Sequence, residues 1–112
     1  MNYKLSLVCA AIIASLAGCV GYGTYQVADN AFPPTSARDI RVYAVTQPDA
    51  EYTIIGYVSV YVSDAQDAGN RLRDELKAQA AKLGADAIIG FKLNLVHGAG
   101  GGAEGEAIRY KH

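Results

Sequence analysis

The stretch LKAQAAKLGADAIIG, residues 76–90, decides the fold because it contains the end of a helix and the start of a strand. Apolar residues in it and before it recur at helical spacing and form one stripe, made of Ala68, Leu72, Leu76, Ala80 and Leu83. Gly84 predicts the helix end, because glycine adopts the left-handed conformation that closes a helix. Alternating apolar residues from Ala87 to Leu95 then predict a strand.

Upstream of the helix, Tyr52–Val62 predicts a strand with apolar residues on both faces. One face consists of Ile54, Gly56, Val58, Val60 and Val62, and the other of Ile55, Tyr57, Ser59 and Tyr61. Ser63 and Gln66 form a capping box that predicts the start of the helix. Because one helix covers one face of a sheet, we expect the second face to be exposed, covered by the N-terminal arm, or buried in another subunit or partner. The leading candidate interaction surface is formed by Ile55, Tyr57 and Tyr61; the alternative is a set of tyrosines on a solvated sheet.

Further strands complete a small sheet. Ile40–Thr46 is rich in branched and aromatic residues and predicts a first strand, and a turn at residues 47–50 follows it. In the third predicted strand, the core face is Ala87, Ile89, Phe91, Leu93 and Leu95. Residues 98–105 are rich in glycine and predict a hairpin loop, and Glu106–Tyr110 predicts a short last strand. The order is β-β-α-β-β, an α+β fold with one helix packed on a small mixed sheet.

The stretch at residues 76–90, with GEAIRY at residues 105–110, resembles a set of small bacterial domains. These include the YbjQ-like family and envelope lipoproteins akin to the Rcs stress sensor. The resemblance covers residues 52–111 and implies the same fold, and the ring-like oligomers of YbjQ-like proteins are consistent with an uncovered sheet face. Asp86 lies within the shared signature, where we expect its carboxylate to accept hydrogen bonds from loop amides.

The N-terminal segment has the pattern of a secretory signal. Lys4 precedes an uncharged run at residues 5–17, which is shorter than a membrane-spanning helix requires. The run ends in Leu16-Ala17-Gly18-Cys19, which resembles the lipobox of bacterial lipoproteins. This resemblance implies cleavage before Cys19 and a lipid anchor on Cys19. Because Val20 follows instead of aspartate, it also implies the outer membrane, on its periplasmic face.

These features divide the chain into three segments. Residues 1–18 are expected to be a lipoprotein signal peptide. Residues 19–38 are expected to be the lipidated cysteine and a flexible tether, because they show no sustained helical or strand periodicity. Residues 39–112 are expected to be the small α+β domain. Packing of the aromatic residues of the tether on the domain is the alternative for Tyr22, Tyr25 and Phe32.

Composition excludes several kinds of chemistry. The formal net charge is −1 at pH 7, which gives no attraction for nucleic acid. Cys9 and Cys19 are the two cysteines of the chain, so the expected domain has no disulfide, no cysteine-based zinc site and no thiol nucleophile. Residues 100–105 match G-x-G-x-x-G, but a strand is predicted after them and not a helix, so no dinucleotide cofactor is expected. Ser59 lacks the context of a nucleophile elbow, and no catalytic residue is assigned.

The candidate metal ligands are His97, Glu104 and Glu106, since a metal site needs several such ligands meeting in space. His112 is the only other histidine and lies at the terminus. The leading expectation is an outer-membrane-anchored periplasmic lipoprotein that acts as a binding, sensing or self-assembling module. Its expected partners are the bilayer, through Cys19, and an envelope protein or a second copy of the chain. The alternatives are a small-ligand or metal-binding domain that uses His97 and the glycine loop, and an enzyme that uses Asp86 or His97 in a shallow cleft.

Overall fold

The computed structural model describes residues 20–27, 31–63, 68–96 and 100–111. They form one helix packed on a five-stranded mixed sheet, which confirms the predicted α+β fold. The elements are β1 (Val20–Gln26), a 3-10 turn (Ala37–Asp39), β2 (Arg41–Val42), β3 (Tyr52–Val62), α1 (Ala68–Lys82), β4 (Ala87–Val96) and β5 (Gly100–Tyr110). In this part of the chain, no helix is long and apolar enough to cross a membrane.

The strand order is β1-β3-β5-β4-β2, so β5 lies at the centre of the sheet. β3 pairs antiparallel with β1 and with β5, and β4 pairs antiparallel with β5. β2 pairs parallel with β4 at the other edge. β3 and β4 are therefore parallel to each other, and α1 connects them across one face of the sheet with β5 inserted between them.

The helix covers its face of the sheet with the predicted apolar stripe. Leu72, Leu76 and Ala80 are completely buried and belong to the main core, together with residues of β3, β4 and β5. Full burial of a leucine contributes about 1.5–3 kcal/mol, so this stripe holds the helix on the sheet. Gly84 follows the helix with a φ of 86°, as predicted. The predicted cap residue Gln66 lies outside the described residues.

Strand β3 has the predicted bounds, but its faces are interrupted by a bulge. The pairing with β5 passes from Ile54 directly to Gly56, so Ile55 is an extra residue on its strand. Its side chain is 1% exposed and lies in the main core beneath the helix. The placement of Ile55 on the candidate interaction surface with Tyr57 and Tyr61 was wrong, because strict alternation does not allow for an inserted residue. Tyr57 and Tyr61 do lie on the opposite face and are exposed.

The glycine-rich segment forms the first half of the central strand and not a hairpin loop. From Gly100 onward it belongs to β5 and pairs with β3 on one side and with β4 on the other. At Gly105, a Cβ atom would collide with Cγ2 of Ile88, so the missing side chain allows the close approach of β5 to the core. The loop prediction was wrong because glycine marks close backbone approach in strands as well as turns.

The pairing of β4 with β5 shifts register between Ile89 and Lys92. The side chains of odd-numbered residues therefore lie on one face of the sheet before the shift and on the other face after it. The predicted core face holds only at the start of the strand. Ala87 and Ile89 are buried, whereas Leu93 and Leu95 are exposed. As in β3, a register shift inside the strand breaks the alternation on which the prediction depended.

The predicted first strand, Ile40–Thr46, is shortened to Arg41–Val42. The next residue, Tyr43, is still hydrogen-bonded to β4, and the chain leaves the sheet edge after it. The Tyr43 N–H donates to the Ile88 carbonyl at 2.8 Å, and its carbonyl accepts from the Phe91 N–H at 3.0 Å. Tyr43 thus bridges the register shift of β4, and regular pairing ends there.

Much of the segment predicted as a flexible tether belongs to the fold. Val20–Gln26 pairs along its whole length with β3 as the edge strand β1. Thr35 donates its N–H to the Ala81 carbonyl at 2.9 Å and its hydroxyl to the Ala85 carbonyl, and Phe32 packs against the main core. The tether prediction failed because β1 takes its hydrogen bonds from β3 and needs no apolar periodicity of its own. Residues 1–19, with the predicted signal peptide, lie outside the described residues.

Candidate binding face of the sheet

The sheet face opposite the helix is covered at one end. There, the buried side chains of Ala87, Ile89 and Ile108 form a second, smaller core. Half-buried tyrosines pack against it, namely Tyr43, Tyr52 and Tyr110. The Tyr52 hydroxyl also donates to the Gln47 side-chain oxygen at 3.3 Å. The connection between β2 and β3 therefore supplies part of the cover that a second helix would otherwise give.

The other end of this face is open and consists of three rows of residues across the sheet. Because paired residues point to the same side, the register defines the rows. They are Gly21, Tyr61, Gly102 and Asn94 in the first, Gly23, Ser59, Glu104 and Lys92 in the second, and Tyr25, Tyr57, Glu106 and Ile89 in the third. These rows are called the open face below.

Tyrosines dominate the open face. Tyr25, Tyr57 and Tyr61 are 66%, 46% and 51% exposed. The rings of Tyr25 and Tyr57 lie with their centroids 6.4 Å apart and their planes tilted by 37°, within the range of favourable aromatic pairs. The small residues Gly23 and Ser59 contribute to two adjoining shallow depressions of about 540 and 730 Å³. The open face is thus a groove with aromatic side chains at its sides.

Charged side chains lie on the β4 and β5 side of the open face. Glu104 is exposed and Glu106 is half-buried. Lys92 is paired with Glu104 on the neighbouring strand, which places their Cβ atoms about 5 Å apart. Two carboxylates and one ammonium leave an excess of negative charge beside the tyrosine rings. The groove can therefore accept hydrogen bonds and interact with a cationic group of a partner.

A second group of polar side chains, not predicted from the sequence, lies at the covered end. Hydrogen bonds with Arg41 and Tyr110 lower the pKa of Tyr43. Burial, and then the hydrogen bond with Tyr43, raise the pKa of Tyr110 to about 12. The hydrogen bond with Tyr43 also raises the pKa of Arg41. The group joins β2 to the end of β5, and no local motif indicates it because Arg41 and Tyr110 are far apart in the sequence.

Asp86 has the structural role that its place in the signature predicts. Its carboxylate accepts the Tyr110 N–H at 2.9 Å, and its own N–H donates to the Ile108 carbonyl at 2.8 Å. Arg109 donates to the Gly84 carbonyl at 2.8 Å, and its guanidinium lies 4.4 Å from the centre of the Phe32 ring. The expectation that Asp86 binds a backbone amide is confirmed, although the amide belongs to β5 and not to a loop.

The structure brings some of the candidate residues together and separates others. Tyr57, Tyr61, Glu104 and Glu106 share the open face, and Ile55 does not. Sequence reasoning missed Tyr25 and its neighbours on β1. The signal that could have found them is the alternation of Gly21, Gly23 and Tyr25, which puts small and aromatic residues on one side of a strand.

The metal-binding candidates are only partly described. Gly100 is the first described residue after His97, and Glu104 and Glu106 lie about 13 and 20 Å from it along β5. Within the described ranges, no three histidine, cysteine, aspartate or glutamate side chains come together in a way that could hold a metal ion. His97, His112 and Cys19 lie outside these ranges.

Comparison with known proteins shows the fold and nothing finer. No protein-family model and no curated protein matches the sequence. The structure is similar to the crystal structure of the Francisella virulence factor FvfA, with a TM-score of 0.59 and 19% sequence identity. The match covers 84% of this chain and 100% of that chain.

Proposed function

We propose that this chain is a lipoprotein anchored through Cys19 in the outer membrane, on the periplasmic face, and that it acts as a binding module of the cell envelope. The open face is the proposed binding surface, and its partner is another envelope protein or a second copy of the chain. The observation that carries the proposal is the exposure of Tyr25, Tyr57 and Tyr61 together on the sheet face that the helix does not cover.

The composition and rigidity of the open face support a role in binding. Tyrosine is enriched in protein interfaces, and clustered exposed aromatic side chains mark interaction sites more often than scattered ones. Tyr57 and Tyr61 lie on β3, which is paired on both sides, so a partner would meet a backbone that is already ordered. Little conformational entropy would then be lost on binding.

The proposed anchor is supported by the lipobox at residues 16–19 and by the resemblance of residues 52–111 to envelope lipoprotein domains. Two acyl chains already hold a protein stably on a bilayer, and the resemblance to the lipobox implies three on Cys19 in a bacterium with an outer membrane. The Francisella virulence factor of similar structure contributes only the fold, because its sequence is 19% identical to this chain.

The anchor is tested by producing the full chain in a bacterium with an outer membrane. We expect the intact mass of the purified protein to equal that of residues 19–112 plus the lipid, and the protein to sediment with outer membranes in a density gradient. A Cys19→Ala variant should carry no lipid. An unlipidated wild-type chain, or one found with inner membranes, contradicts the proposal.

Binding through the open face is tested on membranes solubilised in mild detergent. We expect native electrophoresis to show the wild-type chain in a complex larger than one chain. The double variant Tyr57→Ser, Tyr61→Ser should lose this complex. The matched control is Val45→Ser, because Val45 is 97% exposed but lies away from the open face. Equal complex size in the double variant and the control contradicts the assignment of the surface.

A further inference from the structure

The proposed anchor and the first strand are adjacent in the chain. β1 begins at Val20, the residue that follows Cys19. Consecutive Cα atoms are about 3.8 Å apart, so no tether separates a lipidated Cys19 from the sheet. The lipid would therefore hold one particular end of the domain, the end that contains Val20, at the membrane surface.

This end of the sheet is rich in exposed apolar side chains. The register aligns Val20 with Val62, Gly101 and Leu95 in a terminal row across four strands. Large apolar or aromatic side chains that are exposed within about 7 Å of this row, measured along the strands, are Tyr22, Tyr61, Leu93, Leu95 and Val96. Tyr22, Leu93 and Leu95 lie on the helix side of the sheet, whereas Tyr61 and Val96 lie on the other side, so the group surrounds this end of the sheet. The Tyr22 hydroxyl donates to the Glu75 carboxylate at 3.0 Å, so its ring contributes to the group while its polar end is bound to the helix. Among the described residues of the opposite end, Val27 and Val45 are exposed but form no comparable group. Val27 follows β1 at one edge of the sheet, and Val45 follows β2 at the other edge.

We propose that this group, Tyr22, Tyr61, Leu93, Leu95 and Val96, is a membrane-contact surface that lies in the interface of the bilayer holding the Cys19 lipid. The inference rests on the proposed lipid anchor and extends it. Apolar faces of peripheral proteins enter the headgroup and acyl boundary by about 5–10 Å, which matches the depth of this group. Tyrosine side chains favour the same region, because they have an apolar ring and a polar hydroxyl.

Contact at this end sets the height of the open face above the membrane. Tyr25 and Tyr57 lie five residues along their strands from the terminal row, about 17 Å. Tyr61 lies at the membrane and so belongs to both surfaces. A partner on the open face must then bind close to the bilayer, because no tether lets the domain extend farther into the periplasm.

The test uses the lipidated full-length product in vesicles of phosphatidylethanolamine and phosphatidylglycerol. Leu95→Cys and Asp49→Cys variants are labelled with a fluorophore that responds to polarity. Cys9 leaves with the signal and the Cys19 thiol is consumed by the lipid, so the introduced cysteine is the free thiol. Asp49 is an exposed control at the other end of the sheet, three residues before β3 begins at Tyr52. Leu95 pairs with Gly101 and Tyr52 pairs with Tyr110, so the two ends are nine residues, or about 30 Å, apart along β5.

We expect the emission of the label at residue 95 to shift to shorter wavelength in vesicles. We also expect the label to lose most of its emission intensity when the vesicles contain lipids with a quenching headgroup. The label at residue 49 should keep its emission. Adding Val96→Asp to the Leu95→Cys variant should reduce the quenching. A label at residue 95 that remains as unquenched as the label at residue 49 overturns the inference while leaving the anchor intact. An intact mass without lipid overturns the anchor itself, so the two failures are distinguishable.

Discussion

Replacing Ile55 with alanine tests the bulge that separates the core from the open face. Ile55 is 1% exposed, and its removal leaves a cavity beneath the helix. Such truncations cost about 2–5 kcal/mol of unfolding free energy. In a domain of this size, each kcal/mol of lost unfolding free energy lowers the melting temperature by about 4–8 °C. A loss of about 3 kcal/mol therefore lowers the melting temperature by roughly 12–24 °C.

The assay is thermal and urea unfolding followed by circular dichroism. Ile55→Val should cost about 0.5–1.5 kcal/mol, since it removes a single methylene. The control is Thr53→Val on the same strand, because Thr53 is exposed and surface changes stay within about 0.5 kcal/mol. If Ile55→Ala costs no more than Thr53→Val, Ile55 lies on an exposed face, as simple alternation predicts, and the bulge is refuted.

Three further predictions concern the strand contacts and the covered end. Gly105→Ala should cost about 1–3 kcal/mol of unfolding free energy because its Cβ meets the core, whereas the control Gly102→Ala, with room for a Cβ, should change it little; equal values in urea unfolding contradict this. Asp86→Ala should cost about 1–3 kcal/mol, since it leaves the Tyr110 N–H without its carboxylate acceptor, and Asp86→Asn should cost less; a neutral Asp86→Ala refutes the structural role. Because its pKa is raised in the folded state, neutral Tyr110 contributes to the free energy of unfolding. This contribution is complete below pH 10, the pKa of an unburied tyrosine, and is lost as the pH rises to about 12. The lowered pKa of Tyr43 acts in the opposite sense, so the loss is measured in a Tyr43→Phe variant, in which burial still raises the pKa of Tyr110 although the hydrogen bond with Tyr43 is absent. Unfolding is followed over that pH range and compared with the double variant Tyr43→Phe, Tyr110→Phe; the same pH dependence in both contradicts the burial argument.

The parts of the fold that the sequence predicts are those with uninterrupted periodicity. The apolar stripe of α1, the terminating Gly84 and the bounds of β3 are all local patterns, and the structure confirms each of them. The parts that it does not predict depend on pairing between distant strands. Ile55 moves into the core because β5 skips it, and β4 changes its facing for the same reason.

The candidate site shows the same division. Tyr57 and Tyr61 could be placed on one face from the pattern of β3 alone. Tyr25 could not, because β1 is a strand only through its pairing with β3. The sequence places Glu104 and Glu106 at a glycine-rich loop as candidate metal ligands, but that segment is part of the central strand, which places both residues on the open face.

The most direct test of binding through the open face is site-specific photo-crosslinking of the full-length chain in intact cells. A photoreactive amino acid is placed at Tyr57, at Tyr61 and, as a control, at Asp74, which is exposed on α1 on the other side of the sheet. We predict that positions 57 and 61 form a discrete adduct with another protein, or an adduct of twice the mass of the chain for a second copy, and that position 74 does not. No adduct at positions 57 and 61, or equal adducts at all three positions, would contradict the account.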